Sequence, residues 1–177
     1  ETLKKHNIPT EYLLNVGSIE ERKNLLTLLQ ALKELPNQKL VVIGNGKSYK
    51  IKCLRYIKEH NLSGRVMFLS NLTLEEMAVI YQSAQLMIYP SIFEGFGIPL
   101  LEAMSCGVPI VCSNLPVLKE VAEDAPLYFD PDNIDNIKDK LNLIFEDKNI
   151  RENLIAKGLK RGGFFSWEKS AKQSLDF

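Results

Sequence analysis

The sequence has 177 residues, 45% hydrophobic and 25% charged, which suffices for one domain with a substantial core and matches an ordinary globular chain. Its 22 lysines and arginines balance 22 aspartates and glutamates, excluding a global field that would draw nucleic acid or an acidic membrane surface. No apolar run approaches the ~20 residues of a membrane span. Cys53, Cys106 and Cys112 are odd in number, lack a C-x-x-C pair and fit small side chains in a reducing, cytoplasmic compartment. The chain opens on Glu1 and Thr2 with neither an initiator Met nor a leader, and so reads as part of something longer.

Strand-length apolar runs alternate with helical patterns. Residues 12–17 predict a strand closed by Gly17, and 24–35 a helix with Leu25, Leu28, Leu29 and Leu32 on one face. Residues 39–44 form the next strand, nearly all apolar, as expected where both faces are covered. A lysine-rich helix over 48–60 is expected to turn Ile51, Leu54 and Ile57 inward. After a strand at 66–69, Thr73 caps a helix with Glu76 completing a capping box and Met77, Ile80, Tyr81 and Ala84 inside. Strands at 86–89 and 109–112 flank a helix led by Pro99 at its first position, where a missing N–H costs nothing. A short helix at 117–122 and a sixth strand at 127–129 follow. Then come a helix with Ile134, Ile137, Leu141, Ile144 and Phe145 inside, another over 149–161 and an amphipathic one over 165–175. This order predicts an α/β fold: a Rossmann-like, doubly wound parallel sheet of about six strands in a single domain, residues 1–177, with extra C-terminal helices. Ligands are expected at the carboxyl ends of its strands.

Four segments there are candidates to carry chemistry. Gly17 is followed by Ser18, Arg22, Lys23 and Asn24, so a lysine can reach a phosphate held at the strand ends; the same residues also suit a solvated loop with Asn24 capping the helix. Gly44-Asn-Gly46 lacks the third glycine of a dinucleotide fingerprint, having Tyr49 there, and reads as a strand-to-helix turn. Asp130-Pro-Asp132 resembles a metal-binding D-x-D but sits where a turn and an N-cap are expected, so no metal site is assigned. The fourth segment, Glu94-Gly-Phe-Gly-Ile-Pro-Leu-Leu-Glu102, places two acids around a glycine turn at a helix start. Such a turn lets the backbone approach a ligand and offers free N–H groups to a phosphate.

Glu94 to Glu102 resembles the E-x7-E signature of retaining, two-Rossmann (GT-B) glycosyltransferases, in particular the group 1, or family four, enzymes that include mannosyl- and glucosyltransferases and sucrose synthases. The likeness extends over Gly17 with Arg22-Lys23-Asn24, the strand ending at Gly44, the segment from Arg65 to Met77, Ala103 to Pro109 and Phe165-Ser-Trp167. It covers the donor-binding, C-terminal half of such enzymes. The resemblance implies that Lys23 neutralises the donor diphosphate and that Glu94 holds sugar hydroxyls or faces the anomeric centre. Glu102 would bind ribose hydroxyls, Gly95, Phe96, Gly97 and Ile98 would shape the turn over sugar and phosphates, and the backbone at Asn71 and Leu72 would line the base pocket. Many members carry Arg where Ser18 stands, and Arg22 is the candidate to supply that charge.

The implied activity is hexosyl transfer from a nucleoside-diphosphate sugar to a saccharide or lipid-linked acceptor, with no cofactor and no metal. The implied partners are the enzyme's own N-terminal Rossmann domain, absent from this chain, and through it a peripheral contact with the inner face of the cell membrane; nucleic acid is not among them. This fragment alone is expected to be inactive. Alternatives are a non-catalytic nucleotide-sugar-binding module and, less favoured, a sugar-nucleotide epimerase of the same architecture. A nicotinamide dehydrogenase ranks lower for want of the third glycine.

Overall fold

A computed structural model describes residues 1–165. Six strands, β1 (Leu13–Val16), β2 (Leu40–Ile43), β3 (Val66–Leu69), β4 (Leu86–Tyr89), β5 (Ile110–Ser113) and β6 (Leu127–Phe129), form one sheet in the order β3-β2-β1-β4-β5-β6. Every pairing is parallel, with Leu13 opposite both Leu40 and Leu86. The order reverses between β1 and β4, and the crevice at their carboxyl ends is where such sheets bind ligands.

Eight helices are described: α1 (Thr2–Lys5), α2 (Leu25–Lys33), α3 (Ser48–Glu59), α4 (Leu74–Ser83), α5 (Ile98–Ser105), α6 (Pro116–Ala122), α7 (Ile134–Glu146) and α8 (Lys148–Gly162). Successive strand residues feed opposite faces. Leu13, Val42, Ile88 and Val111 pack with Leu28, Cys53, Ile137 and Leu141 of α2, α3 and α7. On the other face Leu14, Val41, Met87 and Cys112 meet Ile80, Leu100, Met104 and Leu118 of α4, α5 and α6. Burial on both faces explains why the strands read as continuous apolar runs. Each such Leu or Ile contributes about 1.5–3 kcal/mol when fully buried.

All six strands lie where the apolar runs place them. The Thr73–Glu76 capping box is formed in both directions. Two local expectations change. Pro99 is the second residue of α5, behind Ile98, with Gly97 as the N-cap. In α3 the inward stripe is Tyr49, Cys53 and Ile57, whereas Ile51 is 62% and Leu54 44% exposed. The Tyr49 hydroxyl accepts from the Leu26 N–H at 3.0 Å, which fixes the roll of α3 against α2. The helix expected over 165–175 lies, beyond Phe165, outside the described residues.

The single turn of α1, too short for a sequence signal, docks on α4. Glu76 is its anchor: besides the Thr73 N–H, its carboxylate accepts from Lys5 Nζ at 2.6 Å and lies 2.8 Å from His6 Nε2. Lys5, then the Thr73 N–H and His6, lower its pKa to about 2.

Candidate functional site

The switch point is built from two loops. After β1 the chain passes Gly17 and Ser18 into a 3₁₀ turn at Glu21–Lys23; after β4 it runs through Pro90 and Ser91 to Glu94 and the glycine turn. The Ile92 N–H donates to the Arg22 carbonyl at 2.9 Å, so the loops are joined through their backbones. That bond brings Lys23 to Glu94, 71 residues apart in sequence, at 2.5 Å between Nζ and Oε1. Arg22 Nη1 stands 3.7 Å from the other carboxylate oxygen, and a second guanidinium nitrogen reaches Ser18 Oγ at 3.5 Å. Ser18, Arg22, Lys23 and Glu94 therefore form one constellation.

Asn24 plays a different part from the cap expected of it. It adopts a left-handed φ of 54° and makes no capping bond; its amide donates to the Pro131 carbonyl, and its oxygen accepts from Thr27.

The Glu94 side chain is only 6% exposed and Lys23 12%. Burial opposes ionisation of Glu94 most strongly, yet Lys23, with the hydroxyls of Ser91 and Tyr89, holds its carboxyl below the usual value. Tyr89, the last residue of β4, is the member of this cluster that sequence reasoning missed. Its oxygen accepts from Lys23 Nζ at 2.8 Å and its ring lies 5.0 Å from that nitrogen. Burial, then hydrogen bonding to Glu94, pushes its pKa well above the tyrosine range, so it remains a neutral O–H. A strand residue 1% exposed reads as core, but a buried tyrosine needs a partner for its oxygen, and that was the available signal.

Gly97 enters α5 at φ 96°, and a Cβ there would sit 2.9 Å from Leu118 Cδ2, so both backbone and space call for glycine. The turn leaves Gly95, Phe96 and Ile98 exposed at the start of α5, where Pro99 carries no N–H and the Leu100 N–H donates to the Gly97 carbonyl at 2.9 Å. Nearby, Gly44 touches the backbone of β1's loop: a Cβ would meet the Gly17 carbonyl oxygen at 1.9 Å. Gly44-Asn-Gly46 is thus a close-packed turn. Beside it lies an open hollow of about 700 Å³ lined by Ile19, Glu20, Asn45, Lys47 and Ser48.

Glu102 belongs to a second place. Its Oε2 accepts from the Tyr81 hydroxyl at 2.7 Å, and it lines a largely apolar cleft of about 640 Å³ with Leu74, Met77, Phe96 and Ile98. Burial, then the charge of Glu102, raises the Tyr81 pKa far above its ordinary value. Asn71, with φ 57°, and Leu72 follow β3 at the same sheet edge but stop short of the cleft's lining, which begins at Leu74. At Asp130 and Asp132 the Asp132 N–H donates to Asp130 Oδ1, and Asn133, not either acid, caps α7. Among the described residues no three His, Cys, Asp or Glu side chains gather to hold a metal ion. No described helix is long and apolar enough to cross a membrane.

A family model described as Glycosyl transferases group 1 matches residues 1–161. The chain is 36% identical over 170 residues to the O-antigen chain mannosyltransferase B of Escherichia coli, covering 93% of this chain and 45% of that protein. It therefore spans less than half the length of that relative. Sucrose-phosphate synthase from Thermosynechococcus elongatus is similar in structure, with a TM-score of 0.87 at 27% identity over 99% of this chain and 47% of its own. Anabaena Alr3699/HepE, in complex with UDP and glucose, shares the fold at a TM-score of 0.89 and 18% identity, covering 98% and 50%. With its parallel sheet and a family match over nearly all its length, the chain belongs to the group 1 glycosyl transferases.

Proposed function

We propose that this chain is the donor-binding half of a retaining hexosyltransferase that uses a nucleoside-diphosphate sugar. The observation that carries the reading is the Lys23–Glu94 pair at the β1/β4 switch point, set beside the glycine turn that opens α5. Glycosyl transfer needs negative charge stabilised on the departing diphosphate while an oxocarbenium-like sugar forms. Lys23, the backbone N–H groups of Gly95 to Ile98 and the positive end of α5 supply that stabilisation electrostatically. Glu94 faces the same point and holds the sugar hydroxyls or meets the anomeric carbon. Glu102, at the cleft beside α5, takes the ribose hydroxyls, with the base towards Asn71 and Leu72. No cofactor is required for this scheme.

The E. coli relative, named a mannosyltransferase, and the UDP and glucose of the Anabaena structure support a hexose and a diphosphate donor as the substrate class. The acceptor, a saccharide or lipid-linked sugar, then belongs to an N-terminal Rossmann domain that closes the other side of the cleft. The whole enzyme works in the cytoplasm, at the inner membrane face through that domain. This chain alone binds donor and does not transfer it.

Replacing Glu94 by Ala in the full-length enzyme is the test. Transfer is expected to be lost with donor binding and folding retained; near-wild-type turnover would sink the assignment.

A further inference from the structure

We propose that Tyr89 is a positioning residue of this site: its hydroxyl, which shares the Lys23 ammonium with Glu94, takes up the Glu94 carboxylate as the pair parts around a diphosphate. The inference rests on the reading that Lys23 meets a donor phosphate.

In the structure the Lys23 ammonium is taken up by its neighbours. Of its three N–H bonds, one points to Glu94 at 2.5 Å and one to the Tyr89 oxygen at 2.8 Å. A diphosphate can engage it fully only by drawing it away from Glu94. That separation is costly where the carboxylate is 6% exposed, because it leaves the buried acid only Arg22, at 3.7 Å, as a counter-charge. The approaching diphosphate, itself anionic, adds repulsion.

Tyr89 answers both demands with one group. A phenol has one proton to give and lone pairs to receive, so it can serve a donor and an acceptor together. Its hydroxyl accepts from the same Lys23 ammonium that donates to Glu94, and burial keeps it protonated. As Lys23 leans outward, the O–H is free to turn to Glu94, and the ring beneath Lys23 stays within cation–π range of the ammonium. The packing makes no use of the oxygen. The ring sits in the core beside Leu100 and Cys112, a place phenylalanine fills equally. Tyr89→Phe therefore removes the hydroxyl and little else.

The test is titration calorimetry of the full chain with ADP, GDP and UDP, comparing wild type, Tyr89→Phe, Lys23→Ala and the double variant with whichever diphosphate binds. Tyr89→Phe is expected to weaken that diphosphate about tenfold, the usual cost of leaving a buried charged partner short of a hydrogen bond. In the Lys23→Ala background the same change should alter affinity less than twofold, since no pair remains to be parted. Equal affinity of wild type and Tyr89→Phe, or an equal loss in both backgrounds as a purely packing role would give, overturns the inference and leaves the proposed function standing. A wild-type chain that binds none of the diphosphates overturns both.

Discussion

The Tyr81 hydroxyl donates to Glu102 Oε2 at 2.7 Å, tying α4 to α5 at the edge of the apolar cleft. Tyr81 is 2% exposed, so Glu102 is the partner that makes its burial tolerable, and the bond in turn fixes which carboxylate oxygen is left for a ligand. Tyr81→Phe is expected to lower stability by about 1 kcal/mol, read from urea denaturation. It should also weaken nucleoside-diphosphate binding several-fold, because Glu102 loses its orientation. A variant that keeps full affinity would confine Tyr81 to the core.

Lys23 and Glu94 should show strong coupling in stability as well as function. Removing one member of a buried pair costs about 3–5 kcal/mol when nothing replaces it. Arg22, 3.7 Å from Glu94, remains, so Lys23→Met is expected at or below the low end of that range. Adding Glu94→Gln should recover part of the loss, and a double-mutant cycle in urea measures it; simple additivity would contradict the pairing. In the full-length enzyme Lys23→Ala should reduce kcat/KM about 100-fold or more, as loss of such a contact does.

Gly97→Ala tests the entry to α5. The left-handed φ of 96° strains any L-residue, and the new methyl group meets Leu118. A loss of about 2 kcal/mol is expected, or a fall of about 4–8 °C in Tm for a chain of this size. Gly95→Ala, with no atom near its Cβ position, should change Tm far less. Similar losses at both positions would show that the strain argument is wrong.

Glu76 gives the fold a pH dependence with a definite sign. Its folded pKa, about 2, lies below the ordinary 4.5, so its contribution is complete above pH 4.5 and drains away as pH falls towards 2. Glu76→Gln removes that contribution and should flatten the stability profile between those limits relative to wild type. Parallel acid titrations of the two proteins in urea would exclude Glu76 as the anchor of α1.

The parts of this molecule legible in the sequence are those where one physical demand acts alone. Strands buried on two faces must be apolar throughout, so all six stand out. Thr73 and Glu76 announce a helix start because each supplies the other's missing partner. The face of α3 was not legible: Ile51, Leu54 and Ile57 are the more hydrophobic set, but Tyr49 and Cys53 win the inside because the tyrosine's polar tip finds the Leu26 N–H. The site divides the same way. Glu94, Lys23 and the glycine turn show themselves through spacing and charge. Tyr89 and Tyr81 are hidden among core residues, since only the third dimension sets their oxygens against Lys23 and Glu102. Ser18 and Arg22 could be ranked only once the 3₁₀ turn put them on one side of Glu94.

The contact of Gly44 with the Gly17 carbonyl leaves main chain against main chain between β1 and β2, with no room for even a methyl group. That stretch of the crevice is consequently deaf to substitution: no change of side chain can enlarge, charge or reshape it. Around it, Asn45 and Lys47 are exposed and Ser18 half-buried, so side chains there have space to vary. A library aimed at donor choice should therefore leave both glycines untouched.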